Sequence, residues 1–86
     1  RHEPDMALRA GADGLDVVRR LLAGAAALLE PQGALFVEVG DSEERLQAAY
    51  PRVPFLWLEF AHGGGGVFML TKHELERHRA DLCGAD

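Results

Sequence analysis

Leu15, Val18, Leu22, Ala25, Ala26 and Leu29 recur at intervals of three and four, the spacing that lines one face of an α-helix. Arg19 and Arg20 fall outside that stripe, and Val17, Leu21 and Leu28 widen it, as expected of a helix packed against a sheet. Asp13 stands where an N-cap belongs, with Asp16 near the positive end of the helix. Pro31 cannot continue the helix, and Gly33 supplies a turn. Residues Ala34 to Val39 then form a short, nearly continuous apolar run, the pattern of a strand covered on both faces in a parallel sheet. Gly40 breaks it. Asp41 or Ser42 can cap a second, shorter helix to about Tyr50, which Pro51 and Pro54 end. Phe55 to Phe60 reads as a second strand and Val67 to Leu70 as a third, with the glycine-rich loop 61–66 making the pair a hairpin. Thr71 and Glu74 have the Thr-x-x-Glu spacing of a capping box, opening a last helix to about Leu82 with Leu75 and Leu82 as anchors. Residues 1–12 carry Pro4 and Gly11 without a sustained period and read as a loop. Strands alternating with helices predict an α/β layered sheet.

Composition narrows the class. At 86 residues the chain is one small domain, and a domain of that size buries only about 60% of the surface its unfolded form exposes. Apolar residues make up 48% and charged residues 27%, which argues against disorder. Cys83 is the single cysteine, so there is no disulfide framework and no cysteine-based zinc site; one thiol suits a reducing, cytoplasmic setting. A net charge of -5 argues against direct nucleic-acid binding or an anionic membrane surface. No apolar run reaches the ~18 residues a membrane span needs. The chain begins with Arg1 rather than Met, which fits a piece of a longer polypeptide.

Local chemistry is sparse. The four glycines Gly63 to Gly66 precede a strand rather than a helix, and no Gly-Lys-Ser/Thr follows, so a hairpin loop is favoured over a phosphate cradle. Such a loop can still face a substrate. His2, His62, His73 and His78 show neither i,i+4 spacing nor a His-Glu-x-x-His match, so no metal site is expected. His62, at the loop tip, reads as an exposed loop residue that could meet a partner. Glu38 interrupts an apolar strand near its carboxyl end, where open α/β sheets bind ligands. The favoured reading has it reaching past the strand end to water or a backbone N–H. The residues alone support an α/β piece and no reaction.

The opening stretch, His2-Glu3-Pro4-Asp5-Met6-Ala7-Leu8 and then Gly11-Ala12-Asp13-Gly14-Leu15-Asp16, resembles the segment that follows the Asn-Pro-Pro-Tyr motif in the glutamine amide methyltransferases. Glu38-Val39-Gly40 is similar to the end of that family's fifth strand. The segment Pro54 to Phe60, followed by Gly63 to Thr71, resembles the branch that acts on ribosomal protein L-three; the Asp-Arg strand of the release-factor branch is absent. The likeness covers about Arg1 to Leu82. It implies the C-terminal half of a class I (Rossmann-like) methyltransferase fold, with a three-stranded mixed sheet, a terminal antiparallel hairpin and flanking helices.

The same resemblance implies an S-adenosylmethionine-dependent enzyme that methylates a glutamine side-chain amide of a large-subunit ribosomal protein. The family's cofactor loop, its ribose-holding acid and Asn-Pro-Pro-Tyr do not occur in these 86 residues. No residue here is therefore expected to be catalytic, cofactor-binding or metal-binding, and the isolated piece is expected to be inactive. Glu3 and Pro4, just after the motif, are expected to shape the active-site wall, and Gly63, Gly64 and Gly66 to help receive the protein substrate. The Ala34 to Val39 strand is expected to lack a neighbour on one side, so the piece is expected to self-associate through that edge or the adjacent apolar surface. A non-catalytic α/β interaction module and the release-factor branch remain the alternatives.

Overall fold

A computed structural model describes residues 2–10, 14–61 and 64–83. In chain order the elements are β1 (Glu3–Arg9), α1 (Gly14–Gly24), a 3-10 turn (Ala25–Leu28), β2 (Leu29–Glu38), a second 3-10 turn (Gly40–Ser42), α2 (Glu43–Ala49), β3 (Leu56–Trp57), β4 (Val67–Thr71), α3 (Lys72–Arg77) and α4 (Arg79–Leu82). The strands form one mixed sheet in the order β1-β2-β4-β3. β1 runs parallel to β2, and β4 runs antiparallel to both β2 and β3.

Two expectations are corrected at the amino end. Residues 3–9 are a strand rather than a loop, so the sheet has four strands and not three. The side of β2 expected to stand open is filled by the chain's own β1. Association through that edge loses its basis. The new edge, β1, carries Glu3, Pro4, Asp5 and Arg9, residues that discourage strand addition.

β2 begins earlier than expected. The helix ends at Gly24, and Leu29 to Gly33 are already extended, because the residue before a proline is driven out of the helical region. The pairing with β1 shifts register there: Glu3 lies opposite Leu29, yet Asp5 lies opposite Ala34. The Asp5 Oδ1 atom accepts a hydrogen bond from the Ala34 N–H at 2.9 Å across this irregularity. Gly33 is buried against Pro4, whose carbonyl occupies the space a Cβ would need.

The apolar alternation decides which face is covered. Leu35, Val37 and Val39 of β2 and its continuation, with Phe68 and Leu70 of β4, are almost wholly buried. They share one core with Val18 and Leu22 of α1, Leu46 of α2, Leu75 of α3 and Leu82 of α4. Every described α-helix thus contributes to the same side of the sheet. β2 was expected to be covered on both faces; its other face, with Ala34, Phe36 and Glu38, is only half-buried.

At the carboxyl end the expected hairpin is present, with β3 reduced to two residues. Phe55, Trp57 and Phe68 form an aromatic cluster, with ring centroids 4.8 to 5.9 Å apart and Phe68 edge-on to both of the others. Thr71 and Glu74 form the full capping box: the Thr71 side chain accepts from the Glu74 N–H at 3.1 Å, and Glu74 accepts from the Thr71 N–H at 3.0 Å. The helix they open breaks at His78, giving α3 and α4. Ser42 occupies the N-cap position of α2 but makes no side-chain capping bond; it receives the Arg45 guanidinium instead. The cap expected at Asp13 lies outside the described residues. No described helix is long and apolar enough to cross a membrane.

Candidate functional site at the carboxyl ends of the parallel strands

β1 and β2 run in the same direction, so their carboxyl ends meet at one end of the sheet. Ligands of open α/β sheets bind at such ends because side chains and loops diverge there. Arg9 and Glu38, paired in register, form an ion pair with Arg9 Nε 3.0 Å from Glu38 Oε1. Both side chains are well solvated, 80% and 42% exposed, so the pair contributes little to stability. With Ala7, Leu8, Phe36 and Val67 they line a shallow depression of about 340 Å³.

The glycine loop comes down onto the same end. The Val39 N–H donates to the Gly66 carbonyl at 2.6 Å, tying the loop to the last residue of the central strand's run. Gly40 and Gly66 have φ of +56° and +71°, and the Gly40 backbone occupies the space a Cβ at Gly66 would need. Two left-handed residues are thereby stacked backbone to backbone, an approach only glycine permits. Gly64 is also left-handed at +85° but faces open space beside the Phe60 ring.

Glu38 was expected to reach water or a backbone N–H; its partner is the Arg9 guanidinium. Among the other residues singled out, the structure separates two groups. Gly64 and Gly66 belong to this end. Glu3 and Pro4 lie beside Leu29 and Gly33 at the opposite end of the sheet, about 20 Å away at ~3.3 Å per strand residue. Gly63 and His62 lie outside the described residues. Arg9 is the site residue the sequence reasoning missed. A signal for it exists: Leu8-Arg9-Ala10 and Val37-Glu38-Val39 are both apolar-charged-apolar triplets closing a run, and superposing them gives the observed register.

A larger hollow of about 440 Å³ lies on the helical side, between α1, α2 and α4, lined in part by Arg19, Arg20, Tyr50 and Cys83. Its chemistry is weaker. Arg19 leans toward Asp16 at 4.0 Å, and Asp81 on its rim is taken by Arg52 at 3.4 Å. Among the described residues no three His, Cys, Asp or Glu side chains gather as a metal site would require.

Comparison with known proteins adds what the geometry leaves open. Over 74 residues, 86% of this chain, the sequence is 53% identical to the ribosomal protein uL3 glutamine methyltransferase of Neisseria gonorrhoeae (strain ATCC 700825 / FA 1090). The identity is also 53% over 74 residues to the enzymes of the same name from Neisseria meningitidis serogroup A (strain DSM 15465 / Z2491) and serogroup B (strain ATCC BAA-335 / MC58). The chain matches a segment of the uL3 glutamine methyltransferase family. It spans about a quarter of the length of these relatives. No family model and no solved structure matches the chain. The mixed sheet with its helices is compatible with an α/β methyltransferase.

Proposed function

We propose that this chain is part of a cytoplasmic S-adenosylmethionine-dependent enzyme that methylates a glutamine side-chain amide of a large-subunit ribosomal protein. The carrying observation is the 53% identity across 86% of the chain. The fold belonging to that reading is the class I, Rossmann-like methyltransferase sheet, of which β1, β2 and the β3–β4 hairpin are one part.

In this reading no described residue is assigned to the cofactor. The carboxylate in the strand-end depression, Glu38, is engaged by Arg9, and the walls beside it are Ala7, Phe36 and Val67. No step of the reaction is therefore assigned to this chain. Its proposed contribution is to shape and position. An amide nitrogen is a poor nucleophile because its lone pair is delocalised, so methylation depends on holding the amide in line with the donor and excluding water. Phe36 and Val67 offer an apolar wall for the aliphatic part of a glutamine side chain. Glu38 and Arg9 offer an acceptor and a donor for the polypeptide around it. The loop of Gly64 and Gly66 presents backbone to a protein substrate, whereas at the other end of the sheet Glu3 lies opposite Leu29 and the Pro4 carbonyl packs on Gly33.

The test is a chimera in which this chain replaces the corresponding quarter of the N. meningitidis enzyme. Transfer of labelled methyl groups from S-adenosylmethionine to uL3 is expected, and is expected to vanish when the acceptor glutamine is changed. A folded chimera without transfer would overturn the reading. The 86-residue chain alone is expected to show neither transfer nor saturable S-adenosylmethionine binding by calorimetry.

A further inference from the structure

The hollow between α1, α2 and α4 and a second one beside it carry charge opposite to that of the chain as a whole. The second, of about 380 Å³, lies between residues 52–54 and α3 and is lined by Arg52, Pro54, His73, Glu74, Arg77 and His78. Asp81 joins the two. It lines the first hollow, and its carboxylate faces Arg52 at 3.4 Å and His78 at 4.0 Å in the second. Together the hollows hold four of the chain's nine Lys and Arg residues, Arg19, Arg20, Arg52 and Arg77, and only two of its fourteen Asp and Glu. Both acids are engaged, Asp81 by Arg52 and Glu74 by the Thr71 N–H of the capping box. Among the described residues, Arg20 and Arg77 have no ion-pair partner. His73 and His78 add ring N–H donors to the second hollow. A cationic strip thus runs over the helices of a chain whose net charge is -5.

We propose that this strip binds the phosphate backbone of a single RNA strand. A negative net charge argues against a protein that coats nucleic acid, but it is a sum over the chain. At 0.1 M salt, charges more than about 10 Å apart are largely screened, so a phosphate on the helices responds to the strip. Exposure favours a polymer over a small anion. A site for a small ligand encloses most of it, whereas here the Arg19 and Arg52 side chains are 54% and 80% exposed. Exposed guanidinium groups set along a surface suit a backbone that runs past them, each meeting a phosphate through paired N–H donors. The choice of RNA over an acidic polypeptide rests on the proposed function. The substrate there is a ribosomal protein, which works bound to RNA, so the strip lets one enzyme hold the protein and its RNA together. Neither hollow shares a residue with the strand-end depression, so RNA on the helices leaves that end of the sheet open to the protein.

Fluorescence anisotropy of a labelled oligouridylate of about 12 nucleotides, titrated with the 86-residue chain, tests this without uL3 or S-adenosylmethionine. Three to four phosphate contacts give a salt slope of about -2 to -3, so affinity should fall roughly 20- to 50-fold between about 50 and 200 mM salt. Arg20→Gln and Arg77→Gln should each weaken binding and flatten the slope by about 0.7, the share of one phosphate contact. Neither should move the urea midpoint, since neither arginine has an ion-pair partner among the described residues. Arg9→Gln, which removes an exposed arginine outside the strip, should leave RNA binding unchanged. No binding at the lower salt, or equal weakening by Arg9→Gln and Arg20→Gln, would overturn the proposal. So would a glutamate peptide of equal length binding as tightly, which would assign the strip to an acidic protein. Displacement of the RNA by micromolar inorganic phosphate would assign it to a small anion and overturn the proposal as well. In the chimera with the N. meningitidis enzyme the same slope is expected. RNA binding there without methyl transfer would reject the proposed reaction and leave the strip standing; transfer without RNA binding would do the reverse.

Discussion

Replacing each glycine of the 64–66 loop by alanine in turn separates backbone strain from crowding. Gly65 has an ordinary φ, and no atom lies within 4 Å of the point its Cβ would take, so alanine should be neutral or stabilise by about 0.5 kcal/mol through a stiffer unfolded chain. Gly64 sits at φ +85° in open space, so alanine meets the left-handed penalty of ~1–2 kcal/mol, partly offset, for a net loss of about 1 kcal/mol. Gly66 meets that penalty and the Gly40 backbone together; crowding adds ~1–3 kcal/mol, for a net loss of about 2–4 kcal/mol. A chain of this length has of order 4–13 kcal/mol in total, at ~0.05–0.15 per residue. Urea unfolding followed by the fluorescence of Trp57, the single tryptophan, reads the difference. With a slope of about 1–1.5 kcal/mol per molar, Gly66→Ala should lower the midpoint by about 1.3–4 M and Gly65→Ala by none. Equal midpoints for Gly65→Ala and Gly66→Ala, or a larger loss at Gly64, would refute the stacking of Gly66 on Gly40.

Three further outcomes follow from named hydrogen bonds and ion pairs. Thr71→Ala should cost about 1 kcal/mol in urea unfolding by removing the capping box, and Thr71→Ser should restore most of it. Asp5→Ala should also cost about 1 kcal/mol and speed hydrogen exchange at the Ala34 amide, whereas Asp5→Asn keeps the acceptor and the slow exchange. Arg9→Gln should leave the unfolding free energy within about 0.5 kcal/mol, because the pair with Glu38 is solvated; a larger loss would mean the pair carries structural weight.

The parts of the fold legible in the sequence are those fixed by short-range pattern or by side-chain chemistry. Thr71 and Glu74 announce their capping box at a spacing of three, and the aromatic run 55–60 followed by glycines announces the hairpin. β1 was hidden for the opposite reason. Glu3 to Arg9 is exposed at six of its seven positions, has a proline and no alternation, and is extended because β2 supplies hydrogen-bond partners 26 to 29 residues away. Pro31 and Gly33 read as a turn, yet the chain stays extended through them because the register shift opposite Glu3 and Asp5 absorbs the extra residues. The candidate site suffered most. Placing Glu3 and Pro4 at one end and Gly66 at the other requires the parallel register, and no local window contains it.

The central strand also fixes when the sheet can form. β3 and β4 pair across only 11 residues at Trp57 and Phe68, so their aromatic cluster can assemble early. β2 pairs with β1 over 26 to 29 residues and with β4 over 29 to 37. Its ladders must close long loops before they gain anything, which slows folding. During synthesis β2 emerges well ahead of its antiparallel neighbour. Until residues 67–71 have been made, Leu35 and Val37 have one strand beside them and must wait, and in that interval the nascent chain depends on α1 to shield them.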